Sequence, residues 1–165
     1  MQEEIFPIVN TEGEVVGSAT REECHAGTFL LHPVVHLHIF NSAGELYLQK
    51  RVMTKKIQPG KWDTAVGGHV DYGEKIEDAL LRETREELGV RDFPPEFLMR
   101  YEFRSQIEAE LVYIYKCVYD GDFSLDPSEV DEGRFWSLDE IKKSIGKGLF
   151  TPNFESEIER LGWLK

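Results

Sequence analysis

Residues 67–90 read GGHVDYGEKIEDALLRETREELGV, and the rest of the chain is arranged around them. Glycines at 67, 68 and 73 mark a loop, and the spacing then predicts a helix over 75–88 that Gly89 ends. Glycine suits that position because it enters the left-handed conformation after a last helical turn without steric cost. Ile76, Leu80, Glu83 and Glu87 share one side of the helix, at i, i+4, i+7 and i+11. The first half of this row is apolar, as a core-facing row should be, and the second half is carboxylate, with Glu86 beside Glu83. A solvated acidic face normally lies opposite the apolar stripe; here the acids continue it. Carboxylates gathered at a partly buried place repel one another. A divalent cation is expected to hold them, and Mg²⁺ or Mn²⁺ suits oxygen ligands.

At 165 residues the chain is long enough for one domain with a proper core. No apolar run approaches the roughly 20 residues of a membrane span. The N-terminal MQEEIFPIVN is acidic and lacks the apolar region of a signal peptide, so a cytoplasmic location is expected. Cys24 and Cys117 form no framework and no metal spacing; they read as buried free thiols. A formal charge of −12 argues against binding long nucleic acid by its backbone. A small phosphorylated substrate remains compatible, if metal and a local basic patch offset the field.

Taken in order, residues 5–10 and 15–18 read as short strands around a turn, and Thr20 caps a short helix. Strands follow over 34–40, 46–51 and 62–66, the last leading into the glycine loop and the acidic helix. Residues 97–106 and 110–119 read as a pair of long strands, 134–136 as a brief one, and 138–145 and 153–161 as helices. Strands on both sides of a central helix predict an α/β fold, an α/β/α sandwich with a mixed sheet. The expected organisation is a single domain over 1–165, with strands and a short helix in 1–30 and the core in 31–162. The N-terminal strands could pair across a homodimer.

Between Leu46 and Trp62 there is no acidic residue, yet Lys50, Arg51, Lys55, Lys56 and Lys61 are present. In so acidic a chain this local reversal of sign reads as a phosphate clamp, or else as a solvated basic loop. His36 and His38 point the same way from one strand and read as satisfied, partly buried histidines.

Gly68, five residues, Glu74, seven residues, then Arg82-Glu83-Thr84-Arg85-Glu86-Glu87-Leu88-Gly89-Val90 resembles the Nudix box, G-x5-E-x7-R-E-U-x-E-E-x-G-U. One position departs, since Thr84 stands where an aliphatic residue is usual. The resemblance implies a Nudix fold and a hydrolase that cleaves a diphosphate bond. Its substrate would be a nucleoside diphosphate linked to another moiety, or a related organic diphosphate. Glu83, Glu86 and Glu87 would hold the metal, with the Gly68 carbonyl as a further ligand. Arg82, one turn before Glu86, would orient that carboxylate. Glu74 would steady the loop or bind metal through water, Glu110 or else Glu129 would act as general base, and Arg51, Lys55, Lys61 and His69 would contact substrate.

A second resemblance is carried by EECHAGTFLLHP and QKRVMTKKIQPGKWDTAVGGH. These segments look like the isopentenyl-diphosphate isomerase branch of the same superfamily. There, two histidines of the first segment, the Gly-His histidine and the two glutamates of an E-x-E bind a divalent metal. The matching positions here are His25, His32, His69, Glu108 and Glu110. The isomerase thiol, two residues before the Gly-His histidine, is replaced by Gly67, and the aromatic residue near Phe150-Thr151-Pro152 by Asn153. A glycine offers no acid or base. The expectation is therefore a hydrolase, in which His25 and His32 are structural remnants; an isomerase and a non-catalytic nucleotide-binding module are the alternatives.

Overall fold

A computed structural model describes residues 3–55 and 58–165. The elements run β1 (Ile5–Val9), β2 (Val15–Thr20), α1 (Arg21–Cys24), β3 (Leu31–Phe40), β4 (Leu46–Arg51), β5 (Trp62–Thr64) and β6 (Val66–His69). Then follow α2 (Ile76–Leu88), β7 (Glu96–Arg104), β8 (Ala109–Val118), β9 (Val130–Trp136), α3 (Leu138–Ser144) and α4 (Pro152–Leu161). Among the described residues β1 and β2 form a two-stranded sheet. The larger, mixed sheet is ordered β5-β4-β3-β8-β7, with β6 on β3 and β9 on β4. This is the expected α/β class.

The chain divides into two compact units. The first comprises Met1–His36, Gly67–Glu83 and Glu96–Tyr115, the second Leu37–Val66, Thr84–Pro95 and Lys116–Lys165. Strands β3 and β8 and helix α2 contribute residues to both.

In the first unit the Asn10 side chain accepts the Glu12 and Glu14 N–H groups at 3.1 and 2.9 Å, which turns β1 into β2. Thr20 and Glu23 then close a reciprocal capping box, so β2 passes directly into α1. Phe6, Ala19 and Cys24 bury against one another beneath Ile8 and Leu30. In the second unit Leu46, Leu48, Trp136, Ile141, Phe150, Phe154 and Ile158 form the core. Its helices have defined starts: Ser137 caps α3, and Thr151 caps α4 with Pro152 just inside. His38 is fully buried and meets buried Glu157 at 2.6 Å, so the partial burial expected of it is exceeded. Both cysteines are buried free thiols, as expected.

Three elements differ from the sequence reading. Strand β3 begins at Leu31, which brings His32 into the sheet. Residues 62–66 are not one strand: β5 pairs with β4, Ala65 intervenes, and β6 pairs with β3, so Gly67 and Gly68 lie in a strand instead of a loop. Strand β9 begins at Val130, because Val130, Glu132 and Gly133 pair with β4, with Asp131 at a register shift, despite the segment carrying no apolar alternation.

Candidate active site

In the first unit, Gly68 on β6 packs against Glu83 on α2. A Cβ at position 68 would stand 2.5 Å from Glu83 Oε2, so only glycine admits the carboxylate there. The other oxygen, Oε1, accepts from Arg82 Nη1 at 2.8 Å. Arg82 is itself held by Glu74, through Nε at 2.9 Å and Nη2 at 3.0 Å, and by the His69 carbonyl at 3.0 Å. Glu74 also accepts the Asp71 N–H at 3.0 Å, tying the turn before α2 to its middle. The Glu74 and Glu83 carboxylates, Glu74 first, raise the Arg82 pKa further above its already high ordinary value. Burial pushes the Glu74 carboxyl up, but Arg82 and the Asp71 N–H more than reverse this, and its pKa is lowered.

In the second unit, Glu87 is nearly buried and its Oε1 accepts from Gln49 Nε2 at 2.8 Å. Gln49 spends its other amide proton on the Ala65 carbonyl at 2.8 Å, so its orientation is fixed. Sequence reasoning missed Gln49; a lone amide directly after the apolar Leu46-Tyr47-Leu48 of β4 was the available signal. Thr84 is fully buried, and Glu86 is exposed. The row on α2 thus carries one buried, one half-buried and one exposed carboxylate. The basic residues have acidic neighbours: Arg51 lies 3.6 Å from Asp63, Lys55 2.6 Å from Glu129 and Lys50 3.9 Å from Asp131. The sign reversal read along the chain is therefore offset in space. Lys61 lies beside this set, its carbonyl accepting the Arg51 N–H at 2.8 Å; Lys56 lies outside the described residues.

The first unit also gathers the histidines. Ligating nitrogens of His25, His32 and His69 lie within 4.8 Å of one another, and His32, Glu108 and Glu110 form a second such group. The His25 Nε2 and Glu108 Oε2 atoms approach to 2.8 Å; Glu110 Oε2 stands 3.9 Å from both His32 and His69. His32 Nδ1 donates to the Leu30 carbonyl at 3.0 Å, which leaves Nε2 with its lone pair. The buried atoms His32 Nε2 and His69 Nε2 make no hydrogen bond. Burial lowers the pKa of all three histidines, and of His69 furthest, so they are neutral near pH 7, the ligating form. Burial raises that of Glu108. The group suits a divalent metal: its donors converge, and two of them, His32 Nε2 and His69 Nε2, are buried without a hydrogen-bond partner. Phe6 covers it, with its ring 4.6 Å from that of His69 at an interplanar angle of 3°. Nothing in the sequence marked Phe6.

A family model described as the NUDIX domain matches residues 30–154. The chain belongs to the Nudix family. This Nudix chain is 35% identical over 138 residues to an uncharacterised Nudix hydrolase of Pseudomonas aeruginosa, covering 80% of the chain and 78% of its relative. It is 30% identical over 151 residues to an isopentenyl-diphosphate Δ-isomerase of Shigella flexneri, covering 88% and 83%. A Deinococcus radiodurans protein of known crystal structure superposes with a TM-score of 0.82 at 26% identity, over 95% of this chain and 98% of the other. The chain is a Nudix hydrolase. No helix among its described residues is long and apolar enough to cross a membrane.

Proposed function

We propose that this Nudix hydrolase cleaves a diphosphate bond in a nucleoside diphosphate linked to another moiety, or in a related organic diphosphate, using Mg²⁺ or Mn²⁺. The observation that carries the reading is the seating of Glu83, with one oxygen held by Arg82 and the other against the backbone of Gly68. A carboxylate fixed on both sides is preorganised, as a metal ligand must be. Glu83, Glu86, Glu87 and the Gly68 carbonyl would hold the ion. When bound, it would supply a polarised water and offset charge on the phosphate oxygens. Gln49 fixes Glu87, and Glu74 fixes Arg82, so neither carboxylate ligand has to be ordered during turnover. Glu110 takes the proton of the attacking water in this reading; Glu129 is engaged by Lys55 and suits the task less well. Arg51, Lys55 and Lys61 steady the phosphates, the first two by exchanging carboxylate partners for substrate. A screen of organic diphosphates with Mg²⁺, watching for released monophosphate, tests the proposal. Absence of hydrolysis across nucleoside-linked and simple organic diphosphates would overturn it.

A second reading concerns His25, His32, His69 and Glu108. Their converging donor atoms, with His32 Nε2 and His69 Nε2 buried and without a hydrogen bond, support a separate divalent metal centre, in place of the remnant role read from the sequence. Three imidazoles select a borderline metal over Mg²⁺. Titration with Co²⁺ reads this directly, by visible absorption that His69→Ala should abolish.

A further inference from the structure

We propose that Phe6 is a positioning residue for the histidine centre, an inference that rests on the metal reading of His25, His32 and His69. Phe6 comes from β1 and is 1% exposed. Its ring lies parallel to that of His69, and stacks on that of His32 at 5.7 Å and 15°, while His25 meets it edge-on at 6.4 Å and 62°. One flat ring thus touches all three imidazoles.

Each histidine needs a different constraint. His32 has a backbone anchor, its Nδ1 on the Leu30 carbonyl. His69 has no side-chain hydrogen bond from its buried Nε2, so rotation of its ring is opposed by packing. An aromatic plane 4.6 Å away at 3° does this well, because turning the imidazole drives its edge into the ring face. The rings of His32 and His69 also lie within 17° of one another, 5.6 Å apart, as two imidazoles set against a common plane should. Phe6 excludes water from that side as well, which strengthens electrostatic contacts among the donors.

The ring is itself held firmly. Phe6 pairs with Ala19 across the hairpin and packs with Ala19 and Cys24. Just before it the backbone is tied twice, the Arg21 N–H to the Glu4 carbonyl at 3.0 Å and the Tyr72 N–H to the Ile5 carbonyl at 2.8 Å. The second of these bonds joins β1 to the turn just after His69. Hairpin and histidine are therefore linked through the backbone.

The test is Co²⁺ binding to the full chain, read by visible absorption and by affinity, with thermal stability measured alongside. Phe6→Leu keeps an apolar side chain and removes the plane. It should weaken Co²⁺ binding by about 10-fold or more, the usual cost of losing an orienting neighbour, and alter the band shape. Ile8→Ala, in the same cluster, should lower Tm without changing the spectrum. Phe6→Tyr retains the plane and should keep the wild-type spectrum, which covers the case where Phe6→Leu folds poorly. Unchanged affinity and spectrum in Phe6→Leu, or an altered spectrum in Phe6→Tyr, would overturn the proposal and leave the metal centre standing. A wild-type chain with no Co²⁺ band sensitive to His69→Ala would overturn both.

Discussion

Gly68 and Glu83 are in such close contact that a single added carbon at position 68 would stand 2.5 Å from Glu83 Oε2. Because the obstructed atoms are the end of a flexible side chain, Gly68→Ala can be accommodated by swinging that carboxylate aside. The fold should survive with Tm lowered by only a few degrees, about 1 kcal/mol or so. Hydrolysis should fall by about 10²-fold, since a misplaced ligand costs what a lost electrostatic contact costs. Parallel measurement of Tm and kcat separates these effects, and full activity in Gly68→Ala would remove Glu83 from the metal site.

Glu86→Gln and Glu87→Gln should each lower kcat by about two or more orders of magnitude, by weakening the hold on the metal that would neutralise the transferring phosphoryl group. Glu87→Gln can keep the Gln49 bond through its amide oxygen, so stability should hold or rise as carboxylate repulsion falls. Wild-type turnover in Glu87→Gln would sink the assignment.

Arg51→Ala and Lys61→Ala should raise KM for a diphosphate substrate more than they lower kcat, as expected of contacts made equally in ground and transition states. Arg51 has Asp63 at 3.6 Å as an alternative partner, so Asp63→Asn should move KM the opposite way. Steady-state kinetics with an unchanged KM in all three variants would mark this loop as merely solvated.

The Glu74–Arg82 contact predicts a pH-dependent stability. The Glu74 pKa is lowered from an ordinary 4.5, so the folded state binds its proton less readily than the unfolded state. The contribution is complete above the unfolded value and fades as pH falls through the folded one. Glu74→Gln should therefore reduce Tm near neutrality, and the gap to wild type should close as pH falls below 4.5 through the lowered folded value. Melting curves taken in chelator across that range provide the check; a constant gap would contradict the argument.

Isopentenyl diphosphate should not be isomerised. The reaction needs two positioned acid–base groups, and Gly67 removes one. Cys24 and Cys117 offer no substitute, since burial pushes their thiols up to about 11 and about 12. A Cβ at Gly67 would meet His36 Cδ2 at an ordinary 3.5 Å, so Gly67→Cys should fold. It should still give little activity, because Asn153 replaces the aromatic face that would stabilise a carbocation. Solvent deuterium incorporation into the diphosphate, with Mg²⁺, is the readout, and clear incorporation by the wild type would reverse the ranking.

Much of this architecture was legible from local pattern. The 3.6-residue row from Ile76 to Glu87 gave α2, and the strand read over 46–51 has its observed ends, Leu46 and Arg51. What stayed hidden depends on partners distant in sequence. Gly67 and Gly68 have no side chains to alternate, so β6 becomes visible only through its pairing with β3. Asp63, Glu129 and Asp131 could not be matched to Arg51, Lys55 and Lys50 before β4 lay between its neighbours. His25, His32 and His69 were linked by resemblance alone, since no spacing along the chain brings such separated residues together.

The covering of His69 by Phe6 also bears on where this protein can be cut. The family match begins at residue 30, while the stacking ring lies at position 6 and His25 also precedes the match. An expression boundary drawn at the edge of homology would keep the α2 carboxylates yet discard one of the three clustered imidazoles and the roof over the other two. Such a truncated protein could report on diphosphate cleavage while being blind to the histidine group. The unit of inheritance and the unit of chemistry do not share an N-terminal border here.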